Sequence, residues 1–299
     1  SQATYGGLHA VYAQTEADAQ RLRQLKAQVQ GVFGNLKFDA TPNAAQLALA
    51  QGWRASPHAR PVAMLASSRE GEEALWLTAR GSSKTPEDVV WLIVPRHPHR
   101  FEVVQQLLQG AGLSVSRRSA WVGDAPAPAD VWLGDSVGEM AAYYAMADVV
   151  LLGGSFAPFG GQNLIEAAAC GCPVVVGPHT FNFAEAAELA CGVGAAWRTP
   201  GMQAAAQMAC ALVQDPDRLR AARAAARSFA QAHRGAARAT ARQSWPGAPS
   251  RIGPAWPRSC KPSPQGPKTA PPAPTTWARR GRAISSRPCT TASNMPTCR

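Results

Sequence analysis

Residues 148–183 read DVVLLGGSFAPFGGQNLIEAAACGCPVVVGPHTFNF. An apolar run (149–152) leads into a glycine-rich loop, then into a helical pattern that closes at Gly171. A second apolar run (173–176) and a glycine-proline turn follow. Apolar runs this short, bounded by Gly and Pro, are typical of strands buried on both faces of a parallel sheet. A helix between two of them makes a βαβ unit. The loop is where chemistry is expected. Gly153, Gly154, Gly160 and Gly161 remove side chains where the backbone turns and a ligand approaches. The helix behind them directs N–H groups and its positive end into that space, which suits a phosphate or carboxylate. Asn163 opens this helix and Glu166 lies three residues on. The pair reads either as a helix cap or as ligand chemistry. In the second reading Asn163 helps hold an anion and Glu166 accepts hydrogen bonds from ribose hydroxyls.

Working outward, the same alternation recurs. Residues 60–66 (RPVAMLA), 89–94, 113–119 and 131–133 read as strands, and 101–109 as a helix stopped by Gly110. In 67–81 (SSREGEEALWLTARG), Ser67 and Ser68 are positioned to cap a helix, with Glu70 near its start. Ser136 and Glu139 have capping-box spacing, and Asn182 and Glu185 look like another cap pair. Near the start, 15–27 is helical with Thr15 as cap, and 28–38 is a strand with a turn at Gly34-Asn35. Downstream, 183–189 is helical, 194–197 is a final strand, and 201–231 reads as two alanine-rich helices around Asp215-Pro216.

Strands alternating with helices predict an α/β fold with a doubly wound, Rossmann-like parallel sheet. Ligands of such sheets lie beyond the C-terminal strand ends. Pro95-Arg96-His97, 134–140, 153–166 and 177–183 all begin there, so they are expected to converge on one crevice. Arg96 is suited to hold a phosphate or carboxylate with its fork of N–H groups; its plainer reading is a strand-end residue satisfied by water. Glu139 also reads as a cap, Met140 as core, and His179 as a loop residue held by its backbone.

Composition bounds the partners. The 299 residues, 46% apolar, suffice for a substantial core. A net charge of +11 suggests a nucleic-acid or membrane partner, but its location argues otherwise. Residues 244–299 carry nine Lys/Arg and no acid; the remainder has 21 basic and 19 acidic residues, a net +2. No nucleic acid is therefore expected as a partner of the main body. The tail, with 12 prolines and no apolar period, does not easily offset its ordering entropy. It reads as disordered or frameshifted, or else as a basic tail for anionic lipid or RNA. The seven cysteines include Cys170 and Cys172, whose spacing is poor for zinc. Free thiols are expected, with no metal and no cofactor. No run of 18 apolar residues occurs, so no membrane-crossing helix is expected.

Four blocks carry a family resemblance: VPRHPHRF (94–101), GDSVGEMAAYYAMADV (134–149), GGSFAPFGGQNLIEAA (153–168) and GPHTFNF (177–183). In this order they resemble the 3-deoxy-D-manno-octulosonic acid (Kdo) transferases. These are GT-B glycosyltransferases of lipopolysaccharide synthesis, which move Kdo from CMP-Kdo onto a lipid A precursor. The resemblance spans roughly 10–242. It implies that CMP is contacted by Pro95, Arg96, Gly138, Glu139, Met140, Asn163, Leu164, Ile165 and Glu166, with His97, Gly154 and His179 as further candidates. Gln162 departs from the pattern, since many relatives carry His there. The resemblance also implies metal-independent transfer, with Arg and helix dipoles stabilising the leaving nucleotide.

It divides the chain into 1–40, a remnant of an acceptor domain; 41–59, a linker; 60–243, the CMP-sugar-binding domain; and the tail, 244–299. In this family the acceptor site, general base and membrane anchor belong to the N-terminal domain. No catalytic base is thus expected in this sequence, which should be inactive alone. The intact protein is expected at the cytoplasmic face of the bacterial inner membrane. Other readings remain a GT-B domain for a UDP-sugar and a nucleotide-binding module without chemistry; the PRHP and GEM blocks favour CMP.

Overall fold

Uninterrupted apolar runs become the central strands, and the segments between them become helices with one apolar stripe. The computed structural model describes residues 2–39, 41–55, 60–82, 88–121 and 126–244. The order is α1 (Gln2–Gly6), β1 (Val11–Ala13), α2 (Glu16–Gln24), β2 (Val29–Val32), α3 (Ala44–Arg54), β3 (Val62–Ser68), α4 (Glu72–Ser82), β4 (Val90–Pro95), α5 (Phe101–Gly110), β5 (Val115–Arg117) and β6 (Val131–Leu133). It continues with α6 (Met140–Met146), β7 (Val149–Leu152), α7 (Leu164–Ala169), β8 (Val174–Val176), α8 (Ala184–Gly192), β9 (Ala196–Arg198), α9 (Met202–Val213), α10 (Pro216–Ala232) and α11 (Ala236–Ser244).

Seven strands form one sheet in the order β5-β6-β4-β3-β7-β8-β9, every neighbouring pair parallel. The direction of winding reverses between β3 and β7, so a crevice opens at their C-terminal ends. Alternate strand residues face opposite layers. Val62, Met64, Leu92, Val150 and Val174 pack against α3, α6, α7, α8 and α10. Ala63, Leu65, Trp91, Leu151 and Val175 pack against α4, α5 and α9. A separate parallel pair, β1-β2, is joined by α2.

Most elements form where expected. Thr15 caps α2 by accepting from the Asp18 N–H, and Asp215 caps α10 with Pro216 in the first turn. The expected strand 113–119 is shorter, because Arg118–Ala120 tighten into a 3₁₀ turn. Ser67 and Ser68 do not cap α4. The strand runs through both, Ser67 takes a left-handed φ of 52°, and the Ser68 hydroxyl donates to Glu73 at 2.6 Å. The segment read as a link, 41–59, contains α3, whose Trp53 is buried against the Tyr143 ring at 5.9 Å.

At the N-terminal edge of the sheet, buried Asp148 joins three elements. It accepts from the Val62 N–H at 2.8 Å, from Arg54 at 2.9 and 3.3 Å, and from Arg223 at 2.5 Å. Strand β3, helix α3 and helix α10 thus share one carboxylate. Replacing Asp148 with alanine leaves two guanidinium groups and one N–H without it. The expected loss, measured by urea denaturation, is about 3–5 kcal/mol, as for a buried pair stripped of one partner.

Candidate functional site

The C-terminal edge of the sheet is assembled from the strand ends. Gly153 sits where β7 passes closest to β3: a Cβ there would lie 2.6 Å from the Ser67 carbonyl oxygen. Only glycine lets the chain turn into the loop at this point. The loop then folds back, with the Gly161 N–H donating to the Gly154 carbonyl at 2.7 Å.

Three N–H groups of this loop are held by a protein carboxylate. Glu72, fully buried on α4, accepts from Gly154 at 2.7 Å, Phe156 at 3.0 Å and Ala157 at 3.2 Å, and also from Arg69 at 2.8 Å. Burial pushes the Glu72 carboxyl above its usual range, against the pull of these four donors. The loop is thereby a rigid wall of the crevice. Glu73 beside it, 1% exposed, binds Arg100 in a fork at 2.7 and 2.8 Å, and Arg100 also reaches the Ser68 carbonyl at 3.2 Å. Arg100 thereby joins α4 and the end of β3 to the turn after β4. Arg96 itself is exposed, anchored by its N–H to the Ser68 carbonyl at 3.0 Å. The His97 and His99 rings stack at 5.5 Å.

The loop 136–140 is held from outside the block. Gln46 of α3 donates to the Gly138 carbonyl and accepts from the Ala141 N–H at 3.1 Å. Ser136 and Glu139 form no capping box. Their side chains bond to each other, Glu139 itself occupies the cap position, and Arg118 binds its carboxylate at 2.9 Å. Arg118 lies over Trp53 at 5.0 Å and Trp121 at 5.6 Å. Met140 packs against the core.

The Asn163–Glu166 pair is joined within the start of α7. Asn163 caps α7 by accepting from the Ile165 N–H at 3.1 Å, and its amide donates to Glu166 at 3.0 Å. Glu166 nonetheless remains exposed and lines a cavity of about 240 Å³ with Thr41, Asn43, Ala141 and Tyr144. Leu164 and Ile165 are buried in the core. The Tyr144 hydroxyl is pushed up mainly by burial, then by Glu166, while Arg96 pulls it down.

The segment 177–183 closes the wall. The His179 N–H donates to the Ser155 carbonyl at 3.0 Å, and the Asn182 amide donates to the Phe159 carbonyl at 3.0 Å. Asn182 is thus a loop clasp and no cap for α8, whose Glu185 instead accepts from Gln14 at 3.2 Å. Sequence reasoning missed Glu72, Glu73, Arg100, Gln46 and Arg118. The adjacent acids of EGEE were the one available signal, since paired carboxylates at a helix start otherwise face solvent. Among the described residues, no group of three or more His, Cys, Asp or Glu is placed to hold a metal.

Glu72→Ala should remove the acceptor of three loop N–H groups. Each orphaned group costs about 1–3 kcal/mol. Amide exchange at Gly154, Phe156 and Ala157 is expected to lose protection while the β4 amides keep theirs.

No protein-family profile matches the chain. Over 237 residues it is 48% identical to a 3-deoxy-D-manno-octulosonic acid transferase of Bordetella pertussis, covering 78% of this chain and 55% of that protein. The chain therefore spans about half the length of this relative. Among solved structures it is similar to the C-terminal CMP-Kdo binding domain of WaaA from Acinetobacter baumannii, with a TM-score of 0.56 and 29% identity, covering 63% of this chain and 100% of that domain. Sucrose-phosphate synthase from Thermosynechococcus elongatus shares the fold, at a TM-score of 0.50 and 18% identity over 83% of this chain and 61% of that one. The sheet is the Rossmann-like half of a GT-B glycosyltransferase. The chain is thus similar over most of its length to 3-deoxy-D-manno-octulosonic acid transferases, and in structure to the C-terminal domain of one of them.

Proposed function

We propose that the crevice at the ends of β3, β4, β6 and β7 binds CMP-Kdo, and that the chain is the donor-binding half of a transferase acting on a lipid A precursor. The observation that carries this reading is the placement of Arg96, the loop 138–140 and Glu166 around one edge of the sheet, with an open cavity beside Glu166.

CMP-Kdo carries a phosphodiester and a sugar carboxylate, so its recognition is anion recognition. Arg96 neutralises the phosphate, and Glu166 accepts hydrogen bonds from the ribose hydroxyls. The loop 138–140, clamped by Gln46 and Arg118, meets the base. Transfer forms a bond from an acceptor hydroxyl oxygen to the anomeric carbon, passes the hydroxyl proton to a base that the resemblance assigns to the N-terminal domain, and breaks the bond to CMP. The charge gained by the departing phosphate is met by Arg96 and by backbone dipoles already fixed in place. In the intact protein this chemistry belongs to lipopolysaccharide assembly at the cytoplasmic face of the inner membrane. Among the described residues, no helix is long and apolar enough to cross a membrane.

Calorimetric titration with CMP, UMP and UDP tests the assignment. CMP is expected to bind tightest; equal affinities or a preference for UDP would point to another nucleotide-sugar.

Glu166→Gln is expected to weaken CMP binding by about 1–3 kcal/mol and to leave Tm unchanged. A lowered Tm with unaltered affinity on folded protein would reduce Glu166 to its contact with Asn163.

A further inference from the structure

Near the N-terminal edge of the sheet lies a second cavity, of about 390 Å³, which shares Cys170 with the cavity beside Glu166. Its wall includes Arg54 at the end of α3, Arg223 and Arg227 on α10, and the turn at Cys170-Gly171 after α7. Leu47, Ala50, Ala145 and Ala147 supply an apolar lining. Three guanidinium groups therefore border one space.

Their charges are not balanced. Asp148 is the acid they share, and its oxygens are already taken by Arg54, by Arg223 and by the Val62 N–H. Arg227 meets no acid among the described residues; it packs over Gly171 instead. The Arg223 Nε is buried and has no hydrogen-bond partner. The Cys170 thiol adds no negative charge at neutral pH, because burial pushes it up to about 12. Three cations against one carboxylate leave a surplus of two positive charges beside unused N–H donors.

We propose that this cavity is an anion site for a phosphate monoester, held by Arg227 and Arg223 and distinct from the donor crevice. A phosphate monoester is close to a dianion at neutral pH, which matches the surplus. Its oxygens suit the planar fork of guanidinium donors. The apolar lining accommodates the organic stem, and Asp148 keeps Arg54 and Arg223 oriented. The monoester comes either from a soluble molecule or from a lipid headgroup; the chemistry is the same.

Arg227→Gln is the discriminating variant, because Arg227 takes no part in the Asp148 pairs that hold the fold. The full chain and the variant are titrated calorimetrically with glycerol phosphate, each in the presence of saturating CMP. The wild type is expected to bind under these conditions. The variant should bind about 10- to 100-fold more weakly, the effect of losing a charge-assisted hydrogen bond, with unchanged Tm and unchanged CMP affinity. In a second arm, both proteins are sedimented with phosphatidylcholine vesicles with and without phosphatidic acid. Capture by phosphatidic acid that falls in the variant assigns the site to a lipid headgroup. Binding of glycerol phosphate alone assigns it to a soluble monoester. Arg227-independent binding in both arms, displacement of glycerol phosphate by CMP, or no binding at all overturns the proposal. Because the CMP titration stands as its own measurement, failure here is separate from failure of the donor assignment.

Discussion

Glu72 accepts four backbone N–H groups from within the protein, three of them from the glycine-rich loop after β7. Without an acceptor those groups would be buried and unsatisfied, a cost that no nearby side chain is arranged to offset. The carboxylate therefore acts as a template around which Gly154 to Ala157 are wrapped. Everything beyond it inherits that geometry: the return of Gly161 onto Gly154, the clasp from Asn182 to Phe159, and the start of α7 at Leu164. The glycines make the turn sterically feasible, and Glu72 selects one shape among those that glycine permits.

Two further carboxylates divide the remaining work between the edges of the sheet. Glu73, through Arg100, ties α4 and the end of β3 to the turn after β4. Asp148, at the other edge, ties α3 and α10 to β3. Because α3 also carries Gln46, the same helix that is anchored below the sheet reaches the loop 138–140 above it. The donor crevice thus rests on a helix outside the motif-bearing blocks. Ion pairs of this kind are costly to bury and stable only when every oxygen is used, which is what Asp148 and Glu73 achieve.

The order of elements was legible in the sequence from local physics alone. Val149–Leu152 and Val174–Val176 are apolar at every position because both faces of a parallel strand are covered, and their flanking Gly and Pro mark the ends. Thr15 and Asn163 were readable as caps because a cap bonds within two or three residues of itself. Given alternating strands and helices, the convergence of 95–97, 134–140 and 153–166 on one edge follows from parallel pairing. The four blocks in order carried the family.

What the sequence left open were the partners of side chains with several local options. Ser68, Ser136 and Asn182 each sit where a cap is chemically reasonable, yet each bonds elsewhere: to Glu73, to Glu139 and Tyr143, and to the Phe159 carbonyl. Ser68 and Ser136 turn to side chains 3 to 7 residues along the chain, and Asn182 to a carbonyl 23 residues away, so cap spacing alone does not decide which bond forms. Glu72, Gln46 and Asp148 act on residues more than 80 positions away. Sequence alone determined the strands, the helices and the edge at which a ligand must lie. Only the folded chain decided which carboxylate holds the loop and which helix clamps the crevice, because those pairings depend on burial and on distances that exist only after the sheet has closed its layers.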